Sequence, residues 1–448
     1  MKNSLQCSSH LYASTKSFRK LATLCFIVFI LKNKEEEIQI IIQHWIRTLN
    51  IKLGWIKDFD KLVVNYVMSF LFFIKTLIKC IILFCYHFLT QTTTVFMLDT
   101  FSSSSKLLKT FTGHSARVYS IDCTTFDNMH FLCSGSTDNT VRVWDIENNK
   151  QIQSFNGHED CTYCVKFSPY HHYNHSRNVI CFSSDDKTIR FWHIKDNQQL
   201  KIYNERSTWI GGIEFSPFNS GRYLCFGSGD KTICLWDVET SKSLHSFNGH
   251  KNGVWCVNIS PLQSNNNNDN KSNMIGVIGG NGYTICSGSC DKTIRIWDIE
   301  TTKQLNVFNG HTEYVMSVKY GSNELVNTIL SGSNDTSVCL WDIRSGQQIQ
   351  EFNGHTMPVK VVEYSPFVVN NTEAGGSSNI VCSGSEDNTI RFWDVRSNKK
   401  ELYTINGDNK RDCGISCFKF LQFKKKNRSN YCTNLFYGSQ RGCICIWG

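Results

Sequence analysis

No stretch of this 448-residue chain is an uninterrupted apolar run of the roughly 20 residues that a membrane-spanning helix needs. Residues 21–31 form an apolar run that is too short, and no small-x-small cleavage site follows it. Residues 62–89 form a second apolar run, but Lys75 and Lys79 interrupt it. There is no Gly-rich phosphate loop and no cluster with metal-ligand spacing, so neither cofactor nor metal is expected. Cys161 and Cys164 have CxxC spacing without a second such pair. Charge of one sign is also scarce where most of the chain lies. Residues 106–448 carry 35 Lys+Arg and 32 Asp+Glu, a net of +3, which argues against a surface built to hold a nucleic-acid backbone. The rest of the net +9 falls on residues 1–105. Cysteine is plentiful at 21, but an odd count makes no disulfide framework. Cys133, Cys181, Cys286 and Cys382 lie inside strand-like stretches and read as reduced, buried apolar groups of an intracellular protein. Cys443 and Cys445 share a strand face, where core packing is the plainer reading than metal ligation.

What is abundant is repetition. Residues 310–342 hold a Gly-His turn, alternating stretches at 315–320 and 328–331, a tight turn at Asn334-Asp335 and a further strand at 337–341. Strands of about five residues cannot bury their own faces, so the unit needs neighbours. Trp144, Trp192, Trp236, Trp297, Trp341, Trp393 and Trp447 end seven such segments. Six have an Asp six residues earlier: Asp138, Asp186, Asp230, Asp291, Asp335 and Asp387. Gly-His pairs open five, at His114, His158, His250, His311 and His355.

This pattern, over residues 106–448, strongly resembles the WD40 repeat. The resemblance implies an all-β fold, a seven-bladed propeller of four-stranded blades. The first six Trp segments are each followed by an outer-strand pattern, at 151–155, 199–203, 243–247, 304–308, 348–352 and 401–405. None follows Trp447, while residues 106–111 (KLLKTF) are a spare copy before the first repeat. That strand is expected to complete the seventh blade and close the ring. Residues 1–105 are then a separate, partly helical leader, with 102–105 as a linker. Within it Ile38, Ile41, Ile42, Trp45, Ile46 and Leu49 make one helical apolar face after Glu35–Glu37. Insertions fall at 264–273, which is Asn-rich, and at 368–378. Lys424, Lys425, Lys426 and Arg428 form a basic loop in the seventh blade; a solvated loop is the plainer reading than a nuclear-localisation or phosphate patch.

The resemblance also assigns roles. In the family the Trp indole N–H donates to a Ser hydroxyl, the hydroxyl donates to His, and His donates to Asp. By position, four blades carry the full set: His114, Ser134, Asp138, Trp144; His250, Ser287, Asp291, Trp297; His311, Ser331, Asp335, Trp341; and His355, Ser383, Asp387, Trp393. The second blade has Phe182 for Ser and His193 after its Trp. The third has Arg206 for His and Phe226 for Ser, and the seventh has Asp408 for His and Arg441 for Asp. A Ser, His and Asp set invites a hydrolase reading, but a hydroxyl committed on both sides is no nucleophile, so no catalytic residue is expected. The third and fifth positions after His are partner contacts in the family. They place Arg117, Tyr119, Tyr163, Trp209, Trp255, Tyr314, Met316 and Lys360 on one rim. The expected function is a non-enzymatic cytoplasmic scaffold or adaptor for proteins or peptides. Alternatives are a scaffold tethered to a membrane through residues 62–89 and an RNA-linked adaptor.

Overall fold

Strands of five or six residues become stable here because seven four-stranded sheets share their faces. The computed structural model describes residues 96–126, 129–260, 283–321, 325–368, 379–396, 401–424 and 431–448. The chain divides into two units, Met1–Thr94 and Val95–Gly448. The first unit, with the apolar runs at 21–31 and 62–89 and the Ile/Trp face, lies outside the described residues. So do the Asn-rich insertion and most of the basic loop. No described helix is long and apolar enough to cross a membrane.

Val95–Gly448 is a seven-bladed propeller, each blade having four antiparallel strands, called a to d from the channel outward. The fifth blade is representative: Val315–Tyr320, Thr328–Ser333, Val338–Asp342 and Gln348–Phe352. The expected limits of strand a and strand d match, and strand c begins one residue later than the sequence suggests. In the seventh blade strands a to c are Ile415–Lys424, Tyr431–Ser439 and Ile444–Trp447, and the outer strand is Leu107–Phe111. Leu107 pairs with Trp447 and Phe111 with Ile444.

The core lies between blades. Ile294, Ile296 and Phe308 of the fourth blade pack on Val315, Val318 and Trp341 of the fifth. Alternation supplies this: each strand's inward side chains meet the next blade, and even strand b is buried along its whole length in the fifth blade. Sixteen described cysteines are free thiols, and Cys133, Cys181, Cys286 and Cys382 are fully buried.

Residues 102–105 correct the linker reading. Leu98–Ser104 form a helix, α1. Leu98 and Phe101, three residues apart, share one of its faces and are buried against the sixth blade. Phe101 stacks on Phe367 with centroids 4.5 Å apart, and Ser105 Oγ lies 3.0 Å from the Tyr403 hydroxyl. Phe96–Met97 pair in parallel with Phe367–Val368. Apolar burial outweighs the weak helix preference of the Ser-rich stretch. A second short helix, α2 (Pro169–His175), joins strands a and b of the second blade.

Candidate partner-binding rim

The rim stands on a framework of buried polar networks, and in four blades the four residues meet. His311 Nε2 is 2.8 Å from Ser331 Oγ, which also accepts from Trp341 Nε1 at 2.8 Å. His311 Nδ1 donates to Asp335 Oδ2 at 2.8 Å. The sets on His114, His250 and His355 have the same bonds, all 2.8 or 2.9 Å. Burial lowers the pKa of His114 and His250, more than the neighbouring aspartates raise it, so these imidazoles are neutral. Burial works to raise the Asp335 pKa, but hydrogen bonds from His311, Ser337 and the Thr312 N–H hold it well below the usual carboxylate range. A fifth member escaped the sequence reading. Two residues after each Asp, a hydroxyl donates to its other oxygen: Thr140, Thr188, Thr232, Thr293, Ser337 and Thr389, at 2.5–2.7 Å. The signal was present, since a Thr or Ser stands at that spacing in all six repeats.

The three divergent blades solve the same problem differently. In the second, His158 keeps Asp186 at 2.6 Å, but Phe182 leaves His158 Nε2 buried with no partner among the described residues. Trp192 Nε1 turns to Asn197 Oδ1 at 3.1 Å. In the third, Arg206 takes the place of His and donates to Asp230 Oδ2 (3.1 Å) and Thr232 Oγ1 (3.0 Å) over the Phe226 ring. In the seventh, Asp408 pairs with Arg411 at the surface, and Arg441 donates to the Lys410 carbonyl at 2.5 Å. The buried carboxylate there is Asp412, at 0% exposure, which accepts from Tyr437 Oη (2.9 Å) and the Asp408 N–H (2.7 Å). Tyr437 pairs with Cys445 as Ser331 pairs with Cys339, so a tyrosine fills the Ser position.

On this framework a β-bulge recurs in every strand a, just inside the rim. Val315 pairs with Ser333 and Ser317 with Gly332, which leaves Met316 unpaired between them. Tyr119, Tyr163, Trp255, Lys360 and Ser416 occupy the same place in their blades. A bulge turns its extra residue out of the ladder, and here that directs a ring of side chains to the channel mouth.

Two arcs follow. The first is aromatic and joins the first four blades. Tyr119 and Tyr163 meet edge to face at 5.3 Å, Tyr163 and Trp255 lie 5.1 Å apart, and Trp255 and Trp209 lie 5.3 Å apart. All four rings are half-buried. Trp209 lies against backbone, since a Cβ on Gly229 would sit 2.5 Å, and one on Gly253 2.6 Å, from its ring. The second arc is charged. Arg117 Nη2 is 2.9 Å from Glu386 Oε1, with its guanidinium 5.5 Å from the Tyr119 centroid. Lys360 Nζ donates to Asn334 Oδ1 (2.9 Å) and lies 3.5 Å from the same Glu386 oxygen. Sequence reasoning missed Glu386 and Asn334, though each immediately precedes a repeated Asp. Tyr314 is 42% exposed and stands outside the aromatic contacts, while Met316 lines the channel.

Deeper in the channel, the fifth residue of each strand a forms a ring: Asp122, Lys166, Glu214, Asn258, Lys319, Glu363 and Lys419. Lys166–Glu214 (2.8 Å), Lys319–Glu363 (3.2 Å) and, more loosely, Lys419–Asp122 (3.9 Å) pair across neighbouring blades. Asn258 instead accepts from the Tyr320 N–H at 3.1 Å.

Comparison with known proteins gives the family. The model described as WD domain, G-beta repeat matches residues 105–145, 149–193, 197–237, 241–298, 302–342 and 346–394. The U3 small nucleolar RNA-associated protein 15 homolog of Xenopus tropicalis is 40% identical over 62 residues, 14% of this chain and 12% of that protein. The human peroxisomal targeting signal 2 receptor is 35% identical over 63 residues, 14% and 20% of the two chains. The guanine nucleotide-binding protein subunit beta of Zea mays is 41% identical over 58 residues, 13% and 15%. These matches span no more than a fifth of each relative's length. The family model, by contrast, covers more than half of this chain, and the chain belongs to the WD40-repeat family.

Proposed function

We propose that this protein is a non-enzymatic scaffold that holds protein or peptide partners on the rim formed by Arg117, Tyr119, Tyr163, Trp209, Trp255, Tyr314, Met316 and Lys360. The observation that carries this reading is the aromatic arc of Tyr119, Tyr163, Trp209 and Trp255 at the channel mouth. Its members come from four blades, sit on a repeated framework and are half-open to solvent. Aromatic and Arg side chains give large contact area with few rotors, and a preformed surface loses little order on binding. Against catalysis stands the commitment of each network Ser hydroxyl, which accepts from Trp and donates to His. Two relatives are named as a receptor and as a subunit, in keeping with a binding role. An RNA-linked role finds support in the name of the frog relative, but the near-neutral repeat region weighs against it. The membrane-tethered alternative rests on residues 62–89 and is tested by whether that segment inserts.

Capture of partners by the full chain, compared with Trp255→Ala and with Trp209→Ala/Trp255→Ala, tests the proposal. Truncating a central aromatic anchor costs about 2 kcal/mol or more, roughly 30-fold in affinity. Wild-type partners are expected to be lost from both variants. The single variant serves as the cleaner probe, because Trp209 also packs on Gly229 and Gly253. Retention of every partner at unchanged affinity, with melts matching the wild type, would place recognition on the outer strands or in residues 1–94.

A further inference from the structure

The channel mouth opens into a cavity of about 160 Å³, lined by rim residues above and by the charged ring below. Its cations Arg117, Lys166, Lys319, Lys360 and Lys419 exceed by one the carboxylates paired with them, Glu214, Glu363, Glu386 and Asp122. The Lys166–Glu214 and Lys319–Glu363 pairs on its floor are neutral in sum. Above them, Arg117 and Lys360 share one carboxylate, and both approach the same oxygen of Glu386. Lys419 also lines the cavity, and among the described residues the one carboxylate within ion-pair distance of it, Asp122, is 3.9 Å away. Asp122 Oδ2 accepts from the Phe167 N–H at 3.0 Å, which fixes the carboxylate with Oδ1 toward Lys419 at this longer distance. A second, independent feature points the same way. Ser416 is the seventh blade's rim residue and lines the cavity at 6% exposure, while its Oγ is buried and has no hydrogen-bond partner among the described residues. A buried hydroxyl left unpaired is destabilising, and a turn of the Ser416 side chain toward an acceptor in the cavity would recover that loss.

We infer that the cavity is an oxyanion subsite, which takes a carboxylate or phosphate group carried on a partner's side chain, with Arg117, Lys360 and Lys419 as its cations and Ser416 Oγ as a neutral donor. The inference rests on the rim-docking reading and sharpens it: the partner lays its apolar surface on the aromatic arc and inserts one anionic group beside it. The volume admits one side-chain head group. Tyr119, Tyr163, Trp255 and Met316 wall the cavity and exclude water from one side, which strengthens the attraction. Glu386 is the internal competitor of the arriving anion. It holds the two cations apart from solvent until a stronger or doubly charged acceptor displaces it.

Thermal melts of the full-length protein at fixed ionic strength test this, with inorganic phosphate and glutarate as probes and chloride as the balancing salt. A ligand present at about ten times its Kd stabilises the folded state enough to raise the melting temperature of a domain this size by about 2 °C. Phosphate, glutarate or both are expected to do so for the wild type, and the stronger probe tells a phosphorylated side chain from an acidic one. The rise should vanish in Lys360→Met and in Ser416→Ala. In Glu386→Gln it should grow, because the competing carboxylate is gone; this variant keeps the test open if Lys360→Met folds poorly. No rise with either probe, or an equal rise in all four proteins, overturns the subsite. Partner capture separates the two readings. If Lys360→Met captures as the wild type does while Trp255→Ala does not, docking stands and the subsite falls. If the phosphate effect depends on Lys360 but neither variant loses partners, the anion site stands as a small-molecule site and the docking reading falls.

Discussion

Deleting residues 1–111 is expected to destabilise the propeller far more than deleting 1–94 or 1–105. Leu107–Phe111 is the outer strand of the last blade, although it precedes the first in sequence. Without it, the strand Ile444–Trp447 becomes an open edge. Phe111 is buried and packs on Trp144 of the first blade at 5.2 Å. Lys109 Nζ donates to the carbonyls of Ile146 (2.7 Å) and Glu147 (3.0 Å), also of the first blade. The strand therefore pins the seventh blade to the first. Removing a buried Phe side chain alone costs about 3–5 kcal/mol. Loss of the ladder bonds adds to this, so a fall in melting temperature of about 10 °C or more is expected. The 1–105 deletion isolates the share due to α1, through Leu98 and Phe101. Equal melts for the 1–94 and 1–111 deletions would show that the ring does not depend on this strand.

The second large effect is expected at Asp335. Its carboxylate accepts from His311 Nδ1 (2.8 Å), Ser337 Oγ (2.6 Å) and the backbone N–H groups of Thr312 (2.8 Å) and Ser337 (3.0 Å). Asp335→Ala leaves these donors unpaired around a buried imidazole, for a cost of about 3–5 kcal/mol. Arg441→Ala, at the same register of the seventh blade, removes one bond to an exposed turn and should cost about 0.5 kcal/mol or less. Denaturant titrations rank the two, and the reverse order would contradict the network's role. The gap between Asp335→Ala and wild type also depends on pH. The folded-state carboxyl lies below its unfolded value, so its contribution is full above about pH 4 and is lost as pH falls through the lower, folded pKa. The gap should therefore narrow only in strong acid.

What repeats was legible in the sequence, and what occurs once was not. The Trp and Asp spacing set the strand register, so the limits of Val315–Tyr320 and Gln304–Phe308 could be read directly. The four network sets and the rim positions follow from the same register. The charge ring at Asp122 to Lys419 is equally regular in position, but its residue types change from blade to blade and its pairs form only when blades become neighbours. Glu386 is a similar case, because its two partners, Arg117 and Lys360, come from the first and sixth blades. Asp412 and Tyr437 replace the seventh blade's network with residues four places beyond the His position and at the Ser position. Each looks like a lost motif when read alone. Helix α1 was hidden by composition, since only Leu98 and Phe101 among its seven residues carry the burial that holds it.

Which face meets the partner can be read by photo-crosslinking. A crosslinking amino acid placed at Tyr314 reports on the rim, where the native side chain is exposed. The same group at Tyr173, exposed on α2, reports on the opposite ends of the strands, and at Ile349 on an outer strand. The rim account predicts partner adducts at position 314 and none at 173 or 349. Adducts at 173 or 349 with none at 314 would contradict it.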